Sequence, residues 1–182
     1  MYTRVRLRQR IGLREIVATD LPAVYRGLSD PSVIAHYGIS YASLDECAAQ
    51  MQWYAELTRS GLGHWWIVEH PARGETIGAI GYNGRDPEHR RAEIGYWLYP
   101  EYWGQGLMSE AMGLFLERVF TGTNLHRLHA EVELENGASA RLLERWGFCH
   151  EGTAREVERK GERFISLAHY ALLRPEWLAT RG

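Results

Sequence analysis

One continuous stretch, residues 91–111, combines a strand, a glycine turn and the start of a helix. Residues 92–99 are rich in aromatic and branched side chains, which are typical of a strand, and Pro100 cannot extend a strand ladder. Gly104 and Gly106 then bracket one residue, which favours a tight turn. Apolar residues follow at helical spacing, at Leu107, Ala111, Leu114, Phe115 and Val119. The chain must therefore place a glycine turn directly at a helix N-terminus.

A glycine turn that leads into a helix is a candidate anion site. The first N–H groups of the helix lack intrahelical partners and lie at the positive end of its dipole, which suits a phosphate or pyrophosphate. A plain connection is the simpler interpretation. A dinucleotide-binding turn is disfavoured because Ser109 stands where its third glycine belongs, and the chain lacks the Gly-Lys-Ser/Thr of a nucleoside-triphosphate loop.

A second segment, about thirty residues downstream, adds to this signal. Asn136 follows the strand-like residues 127–134 and can cap a helix over 137–146, which Gly147 is suited to end. Together the two segments resemble the GNAT superfamily of acyl-CoA-dependent N-acetyltransferases, and most closely its RimJ/RimL-like branch. The resemblance covers roughly residues 10–175 and is carried by residues 92–98, 103–106, 109–111, 136, 139 and 147–148.

The resemblance implies an α/β (α+β) fold in a single domain, residues 1–182. Its sheet is expected to be mixed and mostly antiparallel, flanked by helices, with a central parallel strand pair that splays apart to hold the pantetheine arm. The elements predicted from periodicity are compatible: strands near 4–8, 11–17, 65–69, 76–83, 91–99, 127–134, 148–157 and 163–173, and helices near 21–28, 44–60, 107–121 and 137–146. Asp20 and Ser43 are the predicted N-caps of the first two helices.

The resemblance also implies that acetyl-CoA is the co-substrate and that no metal ion is required. Backbone N–H groups of the turn are expected to hold the pyrophosphate and Asn136 the pantetheine arm, although helix capping is a sufficient role for Asn136. Met108 is bulkier than the usual small residue, so its side chain is expected to point away from the phosphates. The predicted cofactor-binding residues are Trp97, Leu98, Tyr99, Trp103, Gly104, Gln105, Gly106, Leu107, Met108, Asn136 and Ser139.

Acetyl transfer from a thioester to an amine needs a base for the amine and donors for the developing oxyanion. Glu93 is one base candidate, on a strand face shared with Gly95, whose missing side chain leaves room for a ligand. Glu158 is the other, because it occupies the place of a base proposed for RimJ/RimL-like enzymes. Ser139 is the candidate acid for the departing thiolate. The ordinary alternatives are an exposed strand residue, a solvated charged hairpin and a polar residue in the first turn of a helix.

A tyrosine on the second helix serves as that acid elsewhere in the superfamily. Its place falls on Leu143 here, so the tyrosine version of the mechanism is not expected. A protein that binds acyl-CoA without turnover stays open as an alternative, against which the retention of both glutamates and Ser139 argues.

The acceptor pocket is expected between the N-terminal helices and the aromatic hairpin. The resemblance suggests a protein α-amino group as acceptor, such as that of a ribosomal protein, and the alternative is a small amine: a polyamine, an amino acid or an antibiotic. An isolated aromatic residue is more often part of a core. The predicted lining residues are His36, Tyr37, Trp65, Trp66, Tyr82 and Asn83.

Composition sets the remaining expectations. A net charge of −2 argues against nucleic-acid binding, and no apolar run approaches the ~18 residues of a membrane span. Neither a signal peptide nor a metal or redox spacing of Cys47 and Cys149 is evident. We therefore expect a cytoplasmic enzyme without nucleic-acid or membrane partners, and a homodimer is left open because several family members are dimers. Alternating arginines predict a solvated basic strand face at Arg4, Arg6, Arg8 and Arg10.

Overall fold

The structure, a computed structural model, describes residues 10–70 and 73–181. This part of the chain forms seven strands and six α-helices. The strands are β1 (Gly12–Glu15), β2 (His64–His70), β3 (Glu75–Asp86), β4 (Arg91–Leu98), β5 (Arg127–Glu133), β6 (Cys149–Lys160) and β7 (Arg163–Leu173). The helices are α1 (Leu21–Leu28), α2 (Pro31–Ile34), α3 (Leu44–Ser60), α4 (Leu107–Gly122), α5 (Gly137–Arg145) and α6 (Arg174–Ala179).

The strands form one sheet in the order β1-β2-β3-β4-β5-β7-β6. Every neighbouring pair is antiparallel except β4 and β5, which are parallel. These two strands pair only from Arg91 with Arg127 to Glu93 with His129, and beyond that point they diverge. The predicted mixed, mostly antiparallel sheet with a splayed central pair is therefore confirmed.

Helices cover the two faces of the sheet unequally. The core on one face includes Ile94 of β4, Phe115 of α4 and Leu143 of α5, all at most 5% exposed. On the other face, α1 and α3 cover β2, β3 and β4, with Ile67 and Trp97 buried between them. The part of this second face formed by β5 carries at least partly exposed polar side chains, at Arg127, His129, Glu131 and Glu133.

The indole of Trp65 fills the space above two paired glycines, Gly81 of β3 and Gly95 of β4. A Cβ atom built at Gly81 would lie 2.3 Å from Trp65 Cγ, and one built at Gly95 would lie 2.7 Å from Cη2. The expectation that Gly95 leaves room for a ligand is therefore wrong, because the missing side chain makes room for Trp65.

The boundaries of most helices and strands differ from the predicted ones by one or a few residues. Two predictions differ further: the capping role of Asp20 and the number of helices. Asp20 occupies the N-cap position of α1, but its carboxylate accepts hydrogen bonds from the guanidinium of Arg14, at 2.8 and 2.7 Å, and none from α1. The short helices α2 and α6 were not predicted, although Asp30 before Pro31 is a capping signal and its Oδ1 accepts from Ser32 N at 2.8 Å. The predicted strand at 4–8 lies outside the described residues.

Gly95→Ala is expected to lower the free energy of unfolding by ~1–3 kcal/mol, because the added methyl group overlaps the buried Trp65 ring. Gly122→Ala is the matched control, since a Cβ there meets no atom within 4 Å; it should be neutral or slightly stabilising. Urea unfolding measures both. Equal stabilities of the two variants would show that Trp65 is free to move.

Candidate active site

A cleft of about 790 Å³ opens where β4 and β5 diverge. Residues 93–98 of β4 form one wall and residues 130–132 of β5 form the opposite wall. The N-terminal ends of α4 and α5 border one end, and residues of α2, α3 and the segment after α2 border the other. The cleft therefore joins both regions in which the sequence predicted binding residues.

The turn before α4 presents free backbone donors to this cleft. Gly104 and Gly106 have φ angles of 70° and 75°, a left-handed conformation that favours glycine. Glu110 N donates to Gly106 O at 3.1 Å, so helical pairing begins only at that residue. The N–H groups of residues 107–109 precede it and lack partners within the helix, and no side chain caps this helix end.

Arg10 holds the turn in place from outside the cleft. Its Nε donates to Glu110 Oε1 at 2.6 Å and its NH1 to Gln105 O at 3.1 Å. The side chain of Gln105 donates to Glu101 O at 2.8 Å, and Gln105 does not line the cleft. Its predicted binding role is therefore confined to the backbone. Trp103 lies at the mouth, 48% exposed, with its indole N–H on Leu98 O at 2.9 Å.

Asn136 and Ser139 occupy the first turn of α5, on the cleft wall. Asn136 Oδ1 accepts from Ser139 N at 3.1 Å, so the amide caps the helix and keeps its NH₂ group as a donor. The Ser139 hydroxyl lies 2.6 Å from the hydroxyl of Tyr96 on β4. Burial raises the pKa of Tyr96 to about 12, and the hydrogen bond with Ser139 opposes this shift.

Four of the predicted cofactor residues have buried side chains: Trp97, Leu98, Tyr99 and Leu107. The Trp97 indole packs on Gly27 of α1, where a Cβ would lie 2.3 Å from its Cζ3. The Tyr99 hydroxyl donates to Ala23 O at 2.7 Å, and Tyr99 does not line the cleft. The prediction of a binding side chain at Tyr99 is therefore corrected, because strand alternation turns it into the core beside α1. Met108 is partly buried against the core around α4 and also borders the cleft.

Of the two base candidates, Glu93 lies in the cleft and Glu158 does not. Glu93 is half-buried, and its pKa is raised by burial first and then by the negative charges of Glu131 and Glu158. Glu158 is exposed on the edge strand β6, opposite Ile165. Its charge acts on Glu93, so the structure brings the two candidates into one electrostatic environment but places only Glu93 on the cleft wall.

Four of the six predicted acceptor residues line the cleft: His36, Tyr37, Trp65 and Asn83. Tyr82 and Trp66 do not; they are buried on the opposite face, with ring centroids 6.3 Å apart, in the core with α4. Successive strand residues point to opposite faces, so Asn83 and Tyr82 cannot both face the acceptor. The predictions for Tyr82 and Trp66 are thus corrected.

Among the cleft residues that the sequence analysis did not predict are four with polar side chains: Tyr96, Glu131, Arg141 and Arg145. Arg141 and Arg145 are one helical turn apart on α5, a spacing visible in the sequence, and neither pairs with a carboxylate in the described chain. Tyr96 lies on the strand face that periodicity assigns to the core. Only the divergence of β5 exposes this face to the cleft.

Charged side chains link the two sides of the cleft at its α2 end. Glu133 of β5 accepts from Lys160 Nζ at 2.5 Å and contacts His36 Nδ1 at 2.9 Å. Lys160 also donates to Ala35 O. These contacts connect the segment after α2 to β5 and β6.

Taken together, the site offers backbone donors at a helix N-terminus, an open sheet that can receive a narrow chain, and a carboxylate with a raised pKa. This is the arrangement needed by an enzyme that moves an acyl group from a phosphate-bearing thioester to an amine.

The comparison with known proteins agrees with this class. Residues 10–149 match the acetyltransferase (GNAT) domain, and the chain belongs to the GNAT family of N-acetyltransferases, whose enzymes use acetyl-CoA.

Three similar proteins show the range within the family. The N-acetyltransferase YoaA of Bacillus subtilis is 32% identical over 167 residues, 91% of this chain and 94% of its own length. The ribosomal-protein-serine acetyltransferase of Escherichia coli is 31% identical over 97 residues, 53% of this chain and 54% of its own length. The crystal structure of spermidine N-acetyltransferase from Vibrio cholerae, in complex with CoA and spermine, has a TM-score of 0.84 at 24% identity, covering 93% and 98% of the two chains.

Within the described residues, no helix is long and apolar enough to cross a membrane.

Glu93→Gln is expected to stabilise the protein at pH 7–8. The raised pKa of Glu93 means that ionisation is harder in the folded state, so the carboxylate destabilises the fold above its folded pKa. The penalty is absent below the unfolded value of ~4.3, where both states are protonated. Urea unfolding at pH 4 and pH 7.5 measures the difference, with the exposed Glu88→Gln as control. A loss of stability at pH 7.5 would contradict this assignment.

Proposed function

We propose that this N-acetyltransferase acetylates the α-amino group of a protein N-terminus, such as that of a ribosomal protein, by direct attack of the amine on acetyl-CoA. The observation that carries the proposal is the single cleft that runs from the free N–H groups of α4 to Glu93 and on to an open, partly apolar rim. Each part of this cleft has one role in the reaction.

The cofactor end fits the anionic part of acetyl-CoA. The N–H groups of residues 107–109 are oriented donors for a pyrophosphate, and no atom lies within 4 Å of a Cβ built at Gly104, so a phosphate can approach this turn closely. Arg141 and Arg145 add positive charge on the same side. The Asn136 NH₂ group, which helix capping leaves free as a donor, is the proposed partner of the amide-bearing pantetheine arm.

The diverging strands supply donors for the thioester oxygen. Because β4 pairs with β3 along its length but with β5 only to Glu93, every second backbone N–H beyond Glu93 turns toward the cleft without a strand partner. Such donors stabilise the oxyanion that forms when the amine attacks.

Glu93 is the proposed base. The raised pKa of Glu93 lies closer to the pKa of the ammonium group that it must deprotonate, and this favours proton transfer. Glu131 also lines the cleft and its negative charge acts on Glu93, so the acceptor end is acidic where the cofactor end is basic. This separation of charge suits a cationic acceptor and an anionic cofactor.

The rim of the acceptor end suits a peptide. Ile39 and Trp53 border the cleft and are 40% and 36% exposed, so the residues that follow the acetylated one in a peptide have apolar surface to contact. The similarity to the ribosomal-protein-serine acetyltransferase supports the same acceptor class.

A polyamine is the second candidate. It is favoured by the carboxylates around Glu93 and by the similarity in fold to the spermidine acetyltransferase. Release of CoA with a panel of amines separates the candidates: unblocked peptides, the same peptides with a blocked N-terminus, spermidine, and amino acids. We expect turnover of unblocked peptides only; turnover of spermidine alone would transfer the assignment to the second candidate.

Gly106→Val should weaken acetyl-CoA binding strongly, because it places a branched side chain where the backbone has to approach phosphate. Gly74→Val is the matched control: its φ of 61° is as unfavourable for valine as the 75° of Gly106, but it lies in the β2–β3 turn. Calorimetry on the folded fraction compares the two. Equal affinities would show that the loop is only a connection.

Glu93→Gln should lower kcat by roughly 10²–10⁴ while acetyl-CoA affinity is kept, since a general base contributes on this scale. The deficit should shrink at high pH, where the amine is already neutral. Glu158→Gln removes only a distant charge and should change kcat by a few-fold at most. The reverse order would identify Glu158 as the base.

A further inference from the structure

The hydroxyl groups of Tyr96 and Ser139 form a contact that the proposed chemistry does not yet use. They lie 2.6 Å apart and join β4, at the point where it has left β5, to the first turn of α5. Both residues line the cleft, on the face of β4 opposite to Glu93. We infer that Tyr96 is a positioning residue that directs the Ser139 hydroxyl toward the thioester sulfur; the inference rests on the proposed acetyl transfer.

Ser139 needs such a partner to point in one direction. A helical serine commonly turns its hydroxyl back onto a carbonyl of the preceding turn. Among the described residues, Tyr96 is the partner found for Ser139 Oγ, and the backbone N–H of Ser139 is already bound to Asn136. Tyr96 therefore determines the orientation of the hydroxyl.

The protonation state of Tyr96 determines the direction of the hydrogen bond. With a pKa of about 12, the phenol stays neutral and keeps its proton at any working pH. When it donates to Ser139 Oγ, the one proton of Ser139 is free to be donated elsewhere, and the cleft is the open direction.

The relative acidities disfavour Tyr96 as the final acid. When the C–S bond breaks, its electron pair passes to sulfur, and the amine proton passes to the base. A thiol has a pKa of ~8.5, so a phenol at about 12 does not give its proton to the thiolate. Ser139 instead donates a hydrogen bond to the sulfur as negative charge develops, and solvent supplies the proton when CoA leaves as the thiol.

A measurement on bound CoA tests this geometry without any acceptor. A hydrogen bond to the thiolate should lower the thiol pKa of CoA in the complex by about one unit, followed as the pH dependence of thiolate absorbance in difference spectra. Ser139→Ala should return this pKa to the free value, and Tyr96→Phe should return most of it. The double variant should match Ser139→Ala.

Kinetics on the same variants provide the second readout. Tyr96→Phe should lower kcat about tenfold, the factor expected for one hydrogen bond, with an unchanged KM for acetyl-CoA. It should have no further effect in the Ser139→Ala background. Tyr170→Phe is the control, since its hydroxyl also contacts α5, at Glu144 Oε1, 3.1 Å away, but lies outside the cleft.

These measurements distinguish a failure of the Tyr96 inference from a failure of the proposed cofactor site. Independent, multiplicative effects of the two substitutions, or the same thiol pKa in wild type and Tyr96→Phe, would overturn the inference while leaving the acetyl transfer intact. Absence of CoA binding in the wild type would overturn the proposed cofactor site and this inference with it.

Discussion

The divergence of the parallel strands β4 and β5 is the feature on which the rest of this site depends. A strand inside a sheet normally has hydrogen-bond partners on both edges, and a buried N–H or C=O without a partner is costly. Beyond Glu93, β4 keeps its partner β3 but loses β5. Its free edge is thus a row of donors and acceptors that a bound chain can satisfy. A chain bound in the cleft can therefore take the place of the strand partner that β4 lacks beyond Glu93.

Because side chains alternate between the two faces of β4, this strand contributes groups to both sides of the proposed reaction. Glu93 points to the face covered by the aromatic side chains of the acceptor end, and Tyr96 points to the face of α4 and α5. In the proposed reaction, a thioester lying along the open edge has the proposed base, Glu93, on one side and the hydroxyl groups of Tyr96 and Ser139 on the other. The Trp65 ring occupies the space over Gly81 and Gly95, so the space left for the proposed acceptor lies beside the indole and not above the glycines.

The sequence predicted the elements well because their signals are local. The glycine turn, the capping serine and asparagine and the alternation in the strands all act over a few residues, and Ser43 Oγ does accept from Glu46 N at 3.2 Å. Asp20 failed as a cap because the guanidinium of Arg14, on the preceding strand β1, competes for its carboxylate. The prediction for Tyr82 was wrong because an aromatic residue type does not indicate which face of a strand the side chain occupies. Tyr96 was missed for a different reason: periodicity assigns a face, but only the divergence of β5 makes that face part of a cleft.

In the proposed role of Glu93 as the base, burial contributes more than charge repulsion to proton transfer. Both raise its pKa, but they respond differently to an arriving ammonium group. The ammonium neutralises the field of Glu131 and Glu158, and its own charge lowers the pKa of Glu93, which opposes the transfer. Burial instead favours the neutral form of both groups, since it raises the pKa of the carboxyl group and lowers the pKa of the ammonium group. The carboxylates of the acceptor end therefore attract the cationic amine, whereas the half-buried position of Glu93 favours the neutral pair from which the amine can attack.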